Sequence, residues 1–461
     1  MAEFDGIPRV VAEISDGNLR TVPVPGTPKV TLLGITDNAN ALENEPVLIR
    51  PNTNISDFDL SDGTASEISR AIVEARDGGA ENIEVVVIHV ASSPSNARAT
   101  TAANRATYLA TTYALLINHP LDIVVVLGAN IDTPSQTAST NFAYQLANFC
   151  FSATRHFNSC LGVIGTEPPL PYPSASISLA QLEAWVAALE TYDTTTIEGD
   201  DIEIYDGTTD GGADGIPDNY AFWATTDASI PVGAPPSVDS QVIKDRNNNP
   251  VDIGKFVSVV AGSYRYANDI ARKVSAADGG FPTSGWYHNS GAAAYAGMIA
   301  GLRPHHSPTN KTIGGVDIIR NLSIRQADRL AQKRFVVLQS QPKGIAVVNA
   351  MTGAYNISTT YRSDYVRLST IRITLEAIER VRSVCDPFLG EPHNGVAESA
   401  MRAEIDQVLL KMQTEGALRR YEFNLVSTPA MQVLGQITID LQLVPAFEIT
   451  EITINVALRQ E

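Results

Sequence analysis

Residues 62–90, DGTASEISRAIVEARDGGAENIEVVVIHV, carry a helix start, a helix stop and a buried strand in one span. Asp62 is expected as the N-cap, Ile68, Ile72 and Val73 as the inner side, and Gly78-Gly79 as the stop, where a positive φ has no steric cost. Glu84 to Val90 is a continuous apolar run of strand length, which implies a strand covered on both faces. With apolar runs at Val30–Ile35 and Val47–Arg50 just upstream, this is a βαβ unit.

The pattern repeats toward the C-terminus. A helix is expected from about Ala99 to Asn118, a strand over Asp122–Leu127, a helix from about Thr140 to His156, and a strand over Cys160–Gly165. Ser178–Tyr192 places Leu179, Leu182, Val186 and Leu189 on one helical stripe. Lys255–Gly262 returns to a buried strand, and Ser290–Leu302 is a Gly/Ala helix whose thin face allows close backbone approach. From Leu322 the texture changes. A short helix, Gln326–Gln332, leads into strands at Arg334–Leu338 and Ile345–Val348. Two long helices follow. Asp364–Val384 carries Tyr365, Leu368, Ile371, Leu375 and Ile378 at spacings of three and four and is ended by Pro387; Val396–Glu415 is closed by Gly416 as its C′ residue.

The tail alternates with period two: Tyr421, Phe423 and Leu425; then Ile437, Ile439, Leu441 and Leu443; then Ile452, Ile454, Val456 and Leu458. Apolar parity flips between Ile449 and Ile452, so either a bulge re-aims the chain near Thr450-Glu451 or the last strand joins a different sheet. A long apolar strand without a partner is an aggregation hazard, so the tail implies a destined partner. At the other end, residues 1–20 form an extended arm: Ile7-Pro8 favours extended backbone, and Arg9–Ile14 is one short strand. Residues 193–252, rich in Thr, Asp, Gly and Pro, form a surface insertion with a hairpin through Ile202–Tyr205.

A chain of 461 residues exceeds one hydrophobic core and implies two to four domains. Its formal charge of −18 argues against nonspecific nucleic-acid binding. Residues 311–420 hold 16 Lys and Arg against 11 Asp and Glu, so that region is basic and the remainder strongly acidic. Two readings stand: a basic inner surface with an acidic outer one, or uneven solvated faces. Cys150, Cys160 and Cys385, in apolar contexts without CxxC spacing, read as buried thiols in a reducing compartment. The start MAEFDGIPRV lacks a signal-peptide pattern, and no apolar run approaches a membrane span, so a soluble protein without membrane insertion is expected.

Signatures of chemistry are missing. Gly254-Lys255 lacks the earlier glycine of a phosphate loop, and neither GxSxG nor HExxH occurs. His288 two residues before Ser290 has no third member, and His305-His306 have no flanking carboxylate. Asp206, Asp210, Asp214 and Asp218 lie in a Gly-rich loop resembling a calcium loop, with Gly215 at the sixth position. Gly212 stands where a third-position ligand is needed and Ala221 where a bidentate Glu is needed, which leaves a solvated acidic loop as the simpler reading. No cofactor is expected.

Several segments in order resemble the contractile tail sheath proteins of phages and phage-like injection machines. They are Gly291–Leu302 with Ser307-Pro308-Thr309-Asn310-Lys311, Asn349-Ala350-Met351-Thr352, Arg367–Arg372, Pro387–Asn394, and Leu443–Glu448 followed by the alternating terminal strand. Gly6–Ile14 is similar to the family's N-terminal extension and the αβ units to Gly165 fit its middle domain, while residues 170–250 have no counterpart. The resemblance implies a multidomain α+β and α/β fold: an arm (1–20), a middle and outer αβ domain (21–320) with the insertion 193–252, and an inner C-terminal domain (321–461) whose small sheet neighbouring subunits complete. It implies no enzyme but a structural subunit in a helical homo-oligomer of hexameric rings around an inner tail tube. Contraction would drive the tube through a host cell envelope, with baseplate and tail terminator proteins as further partners. The site would be a virion tail assembled in the host bacterial cytoplasm, or a non-phage injection or secretion system. Strand exchange would use Val10, Val11 and Ile14, then Ile437, Ile439, Leu441, Ile452, Ile454, Val456 and Leu458, with Arg402, Lys411, Arg419 and Arg420 toward the tube. A competing reading, an α/β enzyme, predicts a convergent polar pocket at the sheet's switch point.

Overall fold

The computed structural model describes residues 28–50, 53–132, 141–156, 158–167, 178–195, 253–261, 264–266, 288–318, 320–354 and 363–448. The first strands are β1 (Lys29–Thr36), β2 (Pro46–Ile49), β3 (Asn82–Val90), β4 (Ile123–Asn130), β5 (Leu161–Gly165), β6 (Val257–Ala261) and β7 (Tyr264–Tyr266). Then come β8 (His288–Asn289), β9 (Val316–Ile318), β10 (Phe335–Gln341), β11 (Gly344–Val347), β12 (Leu418–Val426) and β13 (Thr438–Pro445). The helices are α1 (Glu67–Gly78), α2 (Pro94–Arg98), α3 (Ala102–Leu116), α4 (Phe142–Arg155), α5 (Leu179–Thr195), α6 (Ala292–Gly301), α7 (Ile324–Gln332), α8 (Leu368–Cys385), α9 (Gly395–Thr414) and α10 (Pro429–Val433).

Eight strands form one sheet in the order β11-β10-β6-β5-β4-β1-β3-β2. β3, β1, β4, β5, β6 and β10 run parallel, and β2 and β11 close the two edges antiparallel. The continuous apolar runs of the sequence are these parallel strands, covered on both faces by helices. Helix α1 starts later than expected. Ser66, not Asp62, is its N-cap and accepts from the Ser69 amide; Asp62 turns back onto Thr64, whose amide and hydroxyl both donate to its Oδ1. The short Asp62 side chain satisfies its own turn, and Gly63 at φ +78° delays the helix. Ile68 and Ile72 are fully buried, Val73 only half, and the stop at Gly79 (φ 119°) is as expected.

Helix α6 packs on α1 with almost no side chain between them. A Cβ on Gly78 would lie 2.2 Å from the Ala294 carbonyl oxygen, and one on Gly297 2.1 Å from that of Ala75. The thin face read from the sequence is therefore a backbone-to-backbone crossing.

The expected boundary at 320/321 does not divide the structure. β10 pairs in parallel with β6, so Arg334–Leu338 and Ile345–Val348 finish the large sheet instead of opening a new unit. A second core begins only in α8. Leu368, Ile371 and Leu375 join the first core, whereas Ile373, Ala377, Val381 and Val384 join a cluster with Met401, Ile405, Val408, Leu409 and Met412 of α9. One helix is thus shared by two cores, each taking a different face. The predicted start at Asp364 is a short 3-10 turn, and regular helix begins at Leu368.

Candidate assembly site

The residues of α8 and α9 that form the second core pack against a hairpin of β12 and β13. Asn394 caps α9 by accepting from the amides of Val396 and Ala397, and Gly416 at φ +83° turns the chain into β12. β12 and β13 pair antiparallel from Leu418 opposite Pro445 to Val426 opposite Thr438, with a bulge between Leu418 and Arg420. Alternation does the rest. Tyr421, Phe423, Ile439, Leu441 and Leu443 lean on the second core, while Arg420, Glu422, Asn424, Asp440 and Gln442 are exposed. The outer face is therefore polar, and the apolar face is already occupied by the chain's own helices.

Among the described residues this sheet has only these two strands, so each keeps one edge unpaired. An isolated two-stranded ribbon is marginal in water, and its open N–H and C=O rows are a template for another strand. Ile437, Ile439 and Leu441, placed in the exchange set from sequence, are half-buried against their own chain; what β13 offers outward is its backbone edge. Val10, Val11, Ile14, Ile452, Ile454, Val456 and Leu458 lie outside the described residues, as do Asp206, Asp210, Asp214 and Asp218.

The four basic residues lie on α9 and at the start of β12. Arg402 is exposed on α9 and lies over the Phe423 ring at 5.8 Å. Lys411 is near the α9 C-terminus, and Arg419 and Arg420 are exposed at the start of β12, Arg420 paired with Glu422. Nearby, the Tyr421 hydroxyl donates to Asp406 Oδ1 at 2.8 Å; desolvation, with Asp406 adding, pushes its pKa up to about 12.

Two arginines at α8 carry no individual role in the sequence reading. Arg372, 6% exposed, donates to the carbonyls of Ile299 (2.9 Å) and Leu302 (2.6 Å), capping the end of α6. Burial pushes its pKa down to about 10, against the pull of Tyr295 and Glu376. Its sequence signal is a charge beside Ile371 on the buried stripe. Arg367, just before α8, donates to the Glu448 carbonyl at 3.3 Å. Between the two cores lies a cleft of about 490 Å³ lined by Arg303, His305, Arg372, Glu376, Glu379 and Arg380. Arg380 bonds Glu376 (2.5 Å) and Glu415 (3.1 Å), so several of these charges answer one another.

The switch point lies between β1 and β4, where the strand order reverses. It is filled from within. Arg105 donates to both Glu67 oxygens (2.8 and 3.2 Å) and to the Leu127 carbonyl (2.7 Å), while Glu67 also accepts from the Ile35 amide (2.7 Å). Gly34 and Gly128 make room, since a Cβ on Gly128 would lie 2.1 Å from Glu67 Oε2. Polar groups converge here, but onto each other. Among the described residues no group of three or more His, Cys, Asp or Glu is placed to hold a metal ion, and no helix is long and apolar enough to cross a membrane.

No family model and no curated protein matches the chain by sequence. Solved structures do match by fold. A sheath complex of an extracellular contractile injection system (PVC), in the contracted state, superposes with a TM-score of 0.56 at 10% identity over 98% of this chain and 97% of the other. The helical sheath of the anti-feeding prophage in its contracted state gives 0.56 at 12% identity over 98% and 99%. The sheath tail protein from Listeria innocua gives 0.52 at 10% identity over 93% and 94%. The chain has the fold of contractile sheath proteins along nearly its whole length.

Proposed function

We propose that this chain is the sheath subunit of a contractile tail or tail-like injection particle. It polymerises helically around an inner tube, associates with a baseplate and terminator, and shortens to drive the tube through a target envelope. One observation carries the reading: a C-terminal sheet that has, among the described residues, two strands and two open edges, within a fold shared over nearly the whole chain with sheath proteins. Terminal strands of neighbouring copies complete that sheet by β-augmentation. A strand laid along the eight residues of β13 adds about eight backbone bonds, or ~4–12 kcal/mol net. Such a linkage holds while the bodies of the subunits rotate. Arg402, Arg419 and Arg420, which are exposed, and the half-buried Lys411 supply screenable contacts to an acidic tube, weak enough for the tube to move. Stored conformational energy drives shortening, so the subunit carries out no catalysis.

The enzyme reading loses its main support at the switch point, which the Glu67–Arg105 pair occupies. Electron microscopy of the purified full-length chain tests the proposal. Hollow tubes of uniform width are expected, and a protein that stays monomeric at high concentration and ionic strength would refute it.

A further inference from the structure

The hairpin has a mechanical weakness. Load entering through the chain beyond Glu448 reaches β13 at Pro445, whose partner Leu418 is the terminal rung of the ladder. A two-stranded ladder pulled from one end opens rung by rung, each step opposed by one bond's worth of net free energy, ~0.5–1.5 kcal/mol.

The structure puts a fastening at that point. Past the last rung, the Ala446 amide donates to the Ala417 carbonyl at 2.9 Å. Arg367 then grips the next two residues in three ways. Its guanidinium lies over the Phe447 ring at 5.9 Å, donates to the Glu448 carbonyl at 3.3 Å, and stands 3.9 Å from the Glu448 carboxylate. The Glu448 side chain is only 13% exposed, and one of its oxygens is buried with no hydrogen-bond partner among the described residues. Its charge reaches into the large core, where it adds to burial in raising the pKa of Tyr295. Arg367 is itself fixed: it forms a bridge with Met351, and the next amide, that of Leu368, donates to the Ala350 carbonyl. The Arg367 contacts tie Phe447 and Glu448 to the start of the helix that both cores share, while Ala446 is held to the chain just before β12.

We propose that Arg367 and Glu448 form a latch that positions the exit of the C-terminal segment and diverts load from the β12–β13 ladder into the shared helix α8. The proposal deepens the sheath reading, since only a chain tethered to neighbours carries such load, but its first test needs no assembly.

Hydrogen exchange on the full-length, unassembled chain is that test. Arg367→Met and Glu448→Ala should each raise exchange of the β13 amides on the order of tenfold, most at Pro445's end of the strand, as expected when a partly buried charge-assisted contact worth about 1.4 kcal/mol is lost. Amides in the middle of α9 should keep wild-type protection, which separates an unfastened ladder from a damaged core. Arg367→Lys, which keeps the charge but not the planar contact with ring and carbonyl, should fall between. Wild-type exchange in β13 for both Arg367→Met and Glu448→Ala overturns the latch, and so does a uniform rise that includes α9. The second arm uses assembled tubes: the same variants should polymerise yet break at lower shear than wild type. If wild-type chain forms no tubes, the sheath reading fails while the exchange result still decides the latch.

Discussion

Gly297→Ala probes the packing of the large domain at one atom. The new methyl would lie 2.1 Å from the Ala75 carbonyl oxygen and 2.9 Å from its carbon, against an ordinary C···O separation of about 3.3 Å. The helices must therefore part by about 1.2 Å locally, because the obstructing atom is helical backbone and cannot rotate aside. That movement also disturbs Gly78 against Ala294 and Gly301 against Gly79, the other close approaches of the same crossing. Overpacking of this kind costs ~1–3 kcal/mol, and its upper end applies when backbone must move. Replacing a helical glycine returns ~1 kcal/mol. The expected net loss is about 2 kcal/mol, read as a lower urea midpoint for the large-domain transition by far-ultraviolet circular dichroism. Gly395→Ala, at the start of α9 with nothing within 4 Å of the new methyl, is the control and should melt like wild type or slightly higher. Equal midpoints for Gly297→Ala and wild type would show that the crossing has slack, and the reasoning would fail.

Other substitutions test separate parts of the account. Arg372→Met keeps most of the side chain's volume but leaves the carbonyls at the end of α6 without their donor; a loss of about 2–4 kcal/mol is expected in urea melts, with faster hydrogen exchange at Leu302. Arg105→Met strands the Glu67 carboxylate at the switch point and should cost about 3–5 kcal/mol by the same melts, whereas an unchanged midpoint would mean the pair is dispensable. Burial, with Glu167 adding, pushes the pKa of Asp132 up to about 7. The folded state therefore holds a proton that the unfolded chain releases near the ordinary value of 3.8, and the stability this gives at low pH is lost as pH rises toward 7. Asp132→Asn should accordingly raise the melting temperature near neutral pH more than in acid; an equal change at both would remove the titration argument.

The parallel strands were legible because a strand covered on both faces has no polar side to interrupt it, as in Glu84–Val90. Which neighbour such a strand takes is not written in its own residues. β10 therefore read as the start of a new unit although it pairs with β6, more than 70 positions upstream. The Gly/Ala helix was legible for the opposite reason, since small residues on one face have few uses besides close approach. In β12 and β13, alternation gave the buried face correctly but said nothing of edges. Ile439 and Leu441 were expected to meet a neighbour, yet they pack on α8 and α9, because period two distinguishes two faces of a strand and leaves its hydrogen-bonding sides unmarked. Arg367 and Arg372 were visible as charges near an apolar stripe, but their acceptors are backbone carbonyls, which no sequence pattern displays.

The central claim is that neighbouring copies complete the β12–β13 sheet with their terminal segments. Truncation after Glu448 retains the Ala446, Phe447 and Glu448 contacts and removes only residues 449–461. Negatively stained preparations of the truncated and full-length chains, matched in concentration, give the most direct answer. The account predicts uniform tubes from the full-length chain and none from the truncated one, whose circular dichroism and melting stay those of a folded monomer. Tubes of the same width and length from both would contradict it.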